Sequence, residues 1–165
     1  MTTQRLFVLF SILLLPITAA LATSNYEYGP HEYVTIANGI SPDGKYAITA
    51  HGRGEEGYDN FHLFLTDALS GKNIGPLEEV ADTLDTGAGA FAAKWSKDSQ
   101  QVIIIYRVDR HAPLKAVSYE VADRRAHLIK GPFDAKSDEF VSYWQRHSSA
   151  PKASPKTFGT PLKHD

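Results

Sequence analysis

The chain has 165 residues, no cysteine and a formal net charge of −2. The near-neutral charge argues against a nucleic-acid-binding surface or a polybasic membrane patch. The lack of cysteine excludes disulfide bonds and a nucleophilic thiol. The length suffices for one domain with a sizeable core.

Residues 1–22 have the features of a cleavable signal peptide. Arg5 provides the positive charge, an apolar run extends from Leu6 to Leu15, and the small residues Ala20 and Ala22 precede the predicted cleavage point. The apolar run is shorter than the roughly 20 residues that a membrane-spanning helix needs, so a retained anchor is the less favoured alternative. We therefore expect cleavage after Ala22, a periplasmic or secreted protein, and no membrane span after cleavage.

Residues 34–77 predict four strands joined by turns. The first strand ends at Ile40, and Ser41-Pro42-Asp43-Gly44 follows with proline and glycine where a type I turn places them. A charged, glycine-rich loop from Arg53 to Asn60 separates the second and third strands. The four predicted strands cover 34–40, 46–50, 61–65 and 73–77.

Residues 78–89 have the composition of a loop, and a second set of four strands follows over 91–129. The run Val102–Val108 is rich in β-branched residues, which is typical of a strand buried on both faces. The four predicted strands cover 91–95, 102–108, 114–121 and 126–129.

The two sets share a turn sequence. Ile40-Ser41-Pro42-Asp43-Gly44 returns 55 residues later as Trp95-Ser96-Lys97-Asp98-Ser99. Both stretches resemble the turn of WD-like β-propeller blade repeats of the bacterial periplasmic type, and Asp67-x-x-Ser70-Gly71 resembles the outer turn of such blades. The resemblance covers Val34 to Ile129 and implies a binding or scaffolding module.

A propeller closes with about four to eight blades, whereas this chain has only two copies, so the ligand site at a propeller's channel is not carried over. We expect an all-β fold of two antiparallel four-stranded meanders, arranged as a partial propeller or an open sandwich. A monomer is favoured over an oligomer that completes a ring.

The C-terminal part changes character. Asp134 is predicted to cap a short helix over 134–147, with Phe140, Val141 and Trp144 on one face. Residues 148–165 are rich in Ser, Lys and Pro and are predicted to be disordered. The β domain with its helix therefore spans 23–147.

Two polar clusters follow equivalent strands and would lie at the same end of their hairpins. Loops on a rigid sheet commonly carry binding residues, and we expect this surface to bind a partner such as another envelope protein; an ordinary solvated charge cluster is the alternative. Tyr26, Tyr28 and Tyr33 would add aromatic contacts. The candidate binding residues are Arg53, Glu55, Glu56, Asp59, Arg107, Asp109, Arg110 and His111.

No motif predicts a catalytic residue, a metal site or a cofactor. Asp85-Thr86-Gly87-Ala88 matches the active-site turn of retroviral-type aspartic proteases, but the residues before it are a poor match. None of the seven histidines forms a pair with metal-ligand spacing, although His51 and His111 follow equivalent strands. We expect a non-enzymatic binding or scaffolding module; the alternative is a small periplasmic hydrolase that uses Asp85 or a metal held by His51 and His111.

Overall fold

The computed structural model describes residues 25–109, 111–135 and 156–160, so the predicted signal peptide lies outside the described residues. The all-β fold class is confirmed, since the helical elements of the described part are two short 3-10 turns, Glu55–Gly57 and Ala88–Ala90. No helix among these residues is long and apolar enough to cross a bilayer. The strands are β1 Tyr33–Ile40, β2 Tyr46–Arg53, β3 Asp59–Asp67, β4 Asn73–Pro76, β5 Ala92–Trp95, β6 Gln101–Tyr106, β7 Lys115–Ala122, β8 Arg125–Asp134 and β9 Thr157–Phe158.

The eight long strands form two antiparallel meanders, as the sequence predicts. The first contains β1 to β4 and the second β5 to β8, with Lys94 of β5 opposite Ile103 of β6. The meanders are joined by a parallel contact between β1 and β5, where Ala37 is opposite Ala92. They therefore belong to one continuous sheet of order β4-β3-β2-β1-β5-β6-β7-β8.

The sheet is strongly curled, and both meanders contribute to one core on its concave face. Ile48 and Leu63 of the first meander belong to the same buried cluster as Ile104, Val117 and Tyr119 of the second. Burial of these side chains is the main favourable term in folding. The two meanders are therefore expected to stabilise each other rather than fold as separate units.

Equivalent residues of the two repeated turns face opposite sides of the sheet. Trp95 packs in the concave core, and its indole Nε1 donates a hydrogen bond of 3.0 Å to the Gly39 carbonyl. Ile40, its counterpart, packs in a separate cluster with Ala47 and Phe158. β1 and β5 run parallel at the centre of the sheet, and the two meanders extend from them in opposite directions. Residues at equivalent positions of the two repeats therefore point to opposite faces of the sheet.

The predicted helix over 134–147 does not begin at Asp134. This residue ends β8 opposite Lys115, and the next amide, of Ala135, donates to the Leu114 carbonyl at 2.7 Å. Phe133 and Ala135 pack in a second apolar cluster. That packing extends the strand past the predicted start of the helix, and residues 136–147 lie outside the described part.

A short strand lies within the predicted disordered tail. Phe158 of β9 is opposite Tyr33 of β1, and its ring is buried with Ala47 and Ala68. The Lys156 carbonyl accepts a hydrogen bond of 2.9 Å from the Thr35 amide. The prediction of disorder does not hold for residues 156–160. The Phe158 ring is buried there, and the average composition of the tail does not indicate this.

Candidate functional site

The two ends of the curled sheet carry different kinds of connection. The turn end is formed by the four tight turns that follow β1, β3, β5 and β7. The loop end is formed by the N-terminal arm (25–32), the β2–β3 loop (53–59), the joint between the meanders (77–91) and the β6–β7 loop (107–114). Those candidate binding residues that the structure describes all belong to the loop end.

At the turn end, polar side chains are engaged within the turns. The Ser41 hydroxyl donates to the Asp43 carboxylate at 2.7 Å and accepts from the Tyr46 amide at 3.0 Å. Ser96 donates to Asp98 in the same way at 2.6 Å. The bond from Ser41 lowers the pKa of Asp43 to about 2, and the bond from Ser96 likewise lowers the pKa of Asp98. The hydrogen bonds of these serine and aspartate side chains stabilise the turns in which they lie.

At the loop end, one buried threonine connects the arm, the joint and the β2–β3 loop. The Thr86 hydroxyl donates to the Glu56 carbonyl and accepts from the Tyr26 amide at 3.0 Å. The Tyr28 hydroxyl donates to the Thr86 carbonyl. Thr86 belongs to the protease-like Asp-Thr-Gly motif, and in this fold its polar groups hold loops together.

The arm is fixed by a nearly inaccessible carboxylate. Glu32 is 1% exposed and accepts hydrogen bonds from the Gly29 amide at 3.0 Å and the Tyr26 hydroxyl at 2.8 Å. His51 Nδ1 lies 2.7 Å from the Glu32 carbonyl, and the Tyr33 ring stacks on the imidazole at 4.5 Å. Burial lowers the pKa of His51, because the charged imidazolium loses its hydration there.

The first predicted cluster surrounds the β2–β3 loop. Arg53 and Asp59 are exposed and lie opposite each other where β2 and β3 meet the loop. Glu55 and Glu56 are also exposed, and the Glu56 carboxylate accepts a hydrogen bond of 2.8 Å from the side-chain amide of Asn25. This cluster is tied to the arm.

The second predicted cluster lies in the β6–β7 loop. The Asp109 carboxylate accepts from the amides of His111 at 2.7 Å and Ala112 at 2.9 Å, which fixes the turn. His111 is exposed and Arg107 is half-buried. Arg110 lies outside the described residues.

The joint brings the two clusters to one surface. The Leu84 amide donates to the Val108 carbonyl at 2.8 Å, and the Leu84 carbonyl accepts from the Tyr58 hydroxyl at 3.3 Å. Tyr58 also accepts from the Asn25 side chain at 2.8 Å. Both loops therefore contact the same residue of the joint.

Three large side chains project from this end into solvent. Tyr26 is 37% exposed, Tyr58 46% and Leu84 57%. Tyr26 was predicted from the sequence to add aromatic contacts, whereas Tyr58 and Leu84 were not predicted, because the residues around them have the ordinary composition of a loop. We define the loop surface as these three residues together with Arg53, Glu55, Glu56 and Asp59.

The described residues contain no group of three or more His, Asp or Glu side chains placed to hold a metal ion. His51 is buried under Tyr33, whereas His111 is exposed. The two histidines are therefore in different environments, although they follow equivalent strands.

Comparison of the chain with protein-family models, with curated proteins and with solved structures finds no match.

Proposed function

We propose that this chain is an exported, non-enzymatic module that binds another protein through the loop surface. The observation that carries the proposal is the exposure of Tyr26, Tyr58 and Leu84 on loops that buried Thr86 holds in place. Aromatic side chains are enriched in interfaces, and they bury a large area at a small cost in conformational entropy.

The anchoring of the loops supports recognition by a preformed surface. Gly57, at the centre of the β2–β3 loop, has a φ of 72° and packs against Tyr28 of the arm, where a side chain would collide with the ring. Glu56, beside it, also has a positive φ of 56°. Loops ordered before binding lose less entropy on association.

The charge of the surface favours a basic partner. Glu27 next to Tyr26 and Asp82 near Leu84 are exposed, and they join Glu55, Glu56 and Asp59. Arg53 is the exposed arginine of the β2–β3 loop. An acidic patch around apolar contacts accelerates encounter with a positively charged surface and selects against acidic partners. We therefore propose a partner whose contact patch is rich in Lys and Arg.

Export is part of the same proposal, and it rests on the signal-peptide features of residues 1–22. N-terminal sequencing of the mature protein, isolated from the extracytoplasmic fraction of the producing cell, should begin at Thr23. A mature chain that retains Met1 in the cytoplasm would contradict this part of the proposal.

Affinity capture with matched variants tests the binding surface. The immobilised mature protein is incubated with envelope extract of the producing cell, beside a Tyr58→Lys, Leu84→Lys double variant. Leu69→Lys is the control, because Leu69 is 84% exposed at the turn end. A discrete protein should be retained by the wild type and the control and lost by the double variant. Equal retention by all three proteins would refute the proposal.

A further inference from the structure

The C-terminal segment 156–160, which contains β9, lies in a groove on the convex face of the first meander. The groove is lined by Tyr33, Thr35, Ala47, Ala68 and Gly71. The Phe158 ring is buried against Ala68, and a Cβ atom at Gly71 would lie 3.1 Å from that ring. The Lys156 ammonium donates a hydrogen bond of 3.2 Å to the Ala68 carbonyl. One wall of the groove is therefore the turn between β3 and β4.

The other wall of the groove is formed by the end of the arm and the start of β1. The Thr35 amide and hydroxyl both donate to the Lys156 carbonyl, the amide at 2.9 Å. Gly159 has a φ of 85°, and a Cβ atom at this position would collide with the His31 carbonyl of the arm. The close approach and the positive φ both require glycine here.

Contacts lead from this wall to the loop surface. Tyr33 is opposite Phe158, and its ring stacks on the His51 imidazole at 4.5 Å. His51 Nδ1 lies 2.7 Å from the Glu32 carbonyl. The Glu32 carboxylate in turn accepts a hydrogen bond of 2.8 Å from the hydroxyl of Tyr26, which belongs to the loop surface. The groove and the loop surface are therefore connected through the arm.

We propose that this groove is a regulatory peptide site, whose occupant orders the arm and thereby raises the affinity of the loop surface for its partner. The occupant is an extended segment in which phenylalanine precedes glycine, and the chain supplies it as residues 156–160. The ring occupies the apolar part of the groove, and the main chain pairs with β1. The effect on affinity rests on the proposed function, whereas the effect on the arm does not.

The docked segment is held by few contacts, as a reversible occupant requires. β9 pairs with β1 over two residues, and Phe158 is the buried side chain of an otherwise exposed segment. Pairing this short is marginal in water, so burial of one ring provides most of the stabilisation. Two sites that both stabilise the ordered arm are coupled, and the coupling is reciprocal. A partner bound at the loop surface should therefore also stabilise the docked segment.

The competing occupant is the same segment of a second copy, exchanged between two molecules. The structure places the segment in the groove of its own chain. Attachment gives such a segment an effective concentration on the order of millimolar, which exceeds that of free copies in dilute solution. The chain's own segment is therefore the favoured occupant.

Hydrogen exchange of the isotope-labelled mature protein tests whether the segment orders the arm. The amides of Gly29 and Glu32 form hydrogen bonds within the arm, and in Phe158→Ala both should exchange about fivefold faster than in the wild type. Gly159→Ala, which collides with the arm, should have the same effect. Thr157→Ala is the control, because this side chain is exposed. Amides of β6 should be unchanged in all three variants.

Addition of the segment as a separate peptide makes the test specific. A synthetic peptide of residues 154–162, supplied at millimolar concentration, should restore slow exchange of the arm in Phe158→Ala. The same peptide carrying Phe158→Ala should not. Unchanged exchange in both groove variants, or no restoration by the first peptide, would overturn the proposal. Concentration-dependent dimerisation of the wild type that Phe158→Ala abolishes would overturn it too, since the occupant would then be a second copy.

Affinity measurements with the captured partner test the coupling to the loop surface. Phe158→Ala should weaken partner binding about fivefold, and Phe158→Leu, which refills the apolar part of the groove, should restore most of the affinity. Bound partner should slow exchange of the Thr35 amide, which donates to the Lys156 carbonyl. Faster arm exchange with unchanged partner affinity would overturn the regulatory role and leave the proposed function intact. Failure to capture any partner would instead refute the proposed function, and arm exchange alone would then decide whether the groove orders the arm.

Discussion

The turn end and the loop end belong to the same strands but use their polar residues differently. At the turn end Ser41 and Ser96 are engaged in two nearly identical hydrogen-bond networks, and Asp43 also donates its amide to Ser99 of the other turn at 3.1 Å. At the loop end the connections are longer, differ from one another and leave Tyr58 and Leu84 exposed. The repeated turns lie at the end that stabilises the fold, whereas the irregular loops lie at the end that we propose binds a partner.

This contrast separates two kinds of mutational effect. Changes at the turn end should lower stability and leave partner binding intact in the fraction that remains folded. Changes at exposed positions of the loop end should weaken binding and lower stability only slightly. Variants at each end test that separation.

Trp95→Ala should have the largest effect on stability. Trp95 ends β5 at the turn end, packs in the shared core and donates to the first meander. Its removal should cost about 3–5 kcal/mol of unfolding free energy, measured by denaturant melts. Ile40→Ala at the equivalent position should cost only about 1 kcal/mol, because Ile40 is half-buried outside that core. Equal losses of unfolding free energy in the two variants would contradict the placement of Trp95 and Ile40 on opposite faces of the sheet.

The Tyr58→Ala, Leu84→Ala variant should have the largest effect on binding. Loss of two central side chains should weaken partner affinity by at least about 2 kcal/mol, or roughly 30-fold, as measured by calorimetry with the captured partner. The unfolding free energy should fall by no more than about 1–2 kcal/mol, the effect of losing the two hydrogen bonds of the Tyr58 hydroxyl, since both side chains are exposed. A large loss of stability with unchanged affinity would reverse the roles of the two ends.

Ser41→Ala and Ser96→Ala should have smaller and similar effects. Each removes a hydroxyl that donates to an aspartate two residues later and accepts from a main-chain amide. Each should cost about 1 kcal/mol in denaturant melts, with no change in partner affinity. A difference of several-fold between the two losses would show that the repeated turns are not energetically equivalent.

Acidification should loosen the loop end before the turn end. The pKa of His51 is lowered from 6.5 in the folded state, so the unfolded chain binds more protons just below that pH. The stability contributed by neutral His51 is therefore present above about pH 6.5 and is lost as the pH falls towards the lowered folded-state pKa.

The corresponding loss from Asp43 starts only below its ordinary pKa of 3.8 and continues to about 2. Hydrogen exchange of the arm amides at a series of pH values should show the first step. In His51→Asn, which does not titrate, that step should disappear, whereas its persistence would assign it to another group.

Local structure was predictable from the sequence because the repeated turns determine their own geometry. Ser41-Pro42-Asp43-Gly44 and its second copy form the predicted turns, and Lys94 pairs with Ile103 as the second meander requires. The contact that joins the meanders was not predictable. Its strand pairing is the parallel pair Ala37 and Ala92, and these residues have no distinctive pattern.

The site was only partly predictable for a similar reason. Charge and glycine content marked Arg53 and Glu55, because loops have a recognisable composition. Tyr58 and Leu84 gain their importance from contacts across the chain, such as the hydrogen bond between them, which no local pattern encodes. Average composition also concealed Phe158, whose burial orders the residues around it.

Site-specific photo-crosslinking in the producing cell tests the binding role of the loop end most directly. A photoreactive phenylalanine analogue is placed at Tyr58 or, as the control, at Leu69, which is exposed at the turn end. We predict one discrete, illumination-dependent adduct with a basic protein from Tyr58 and none from Leu69. The same adduct from both positions, or no adduct from Tyr58, would contradict the account.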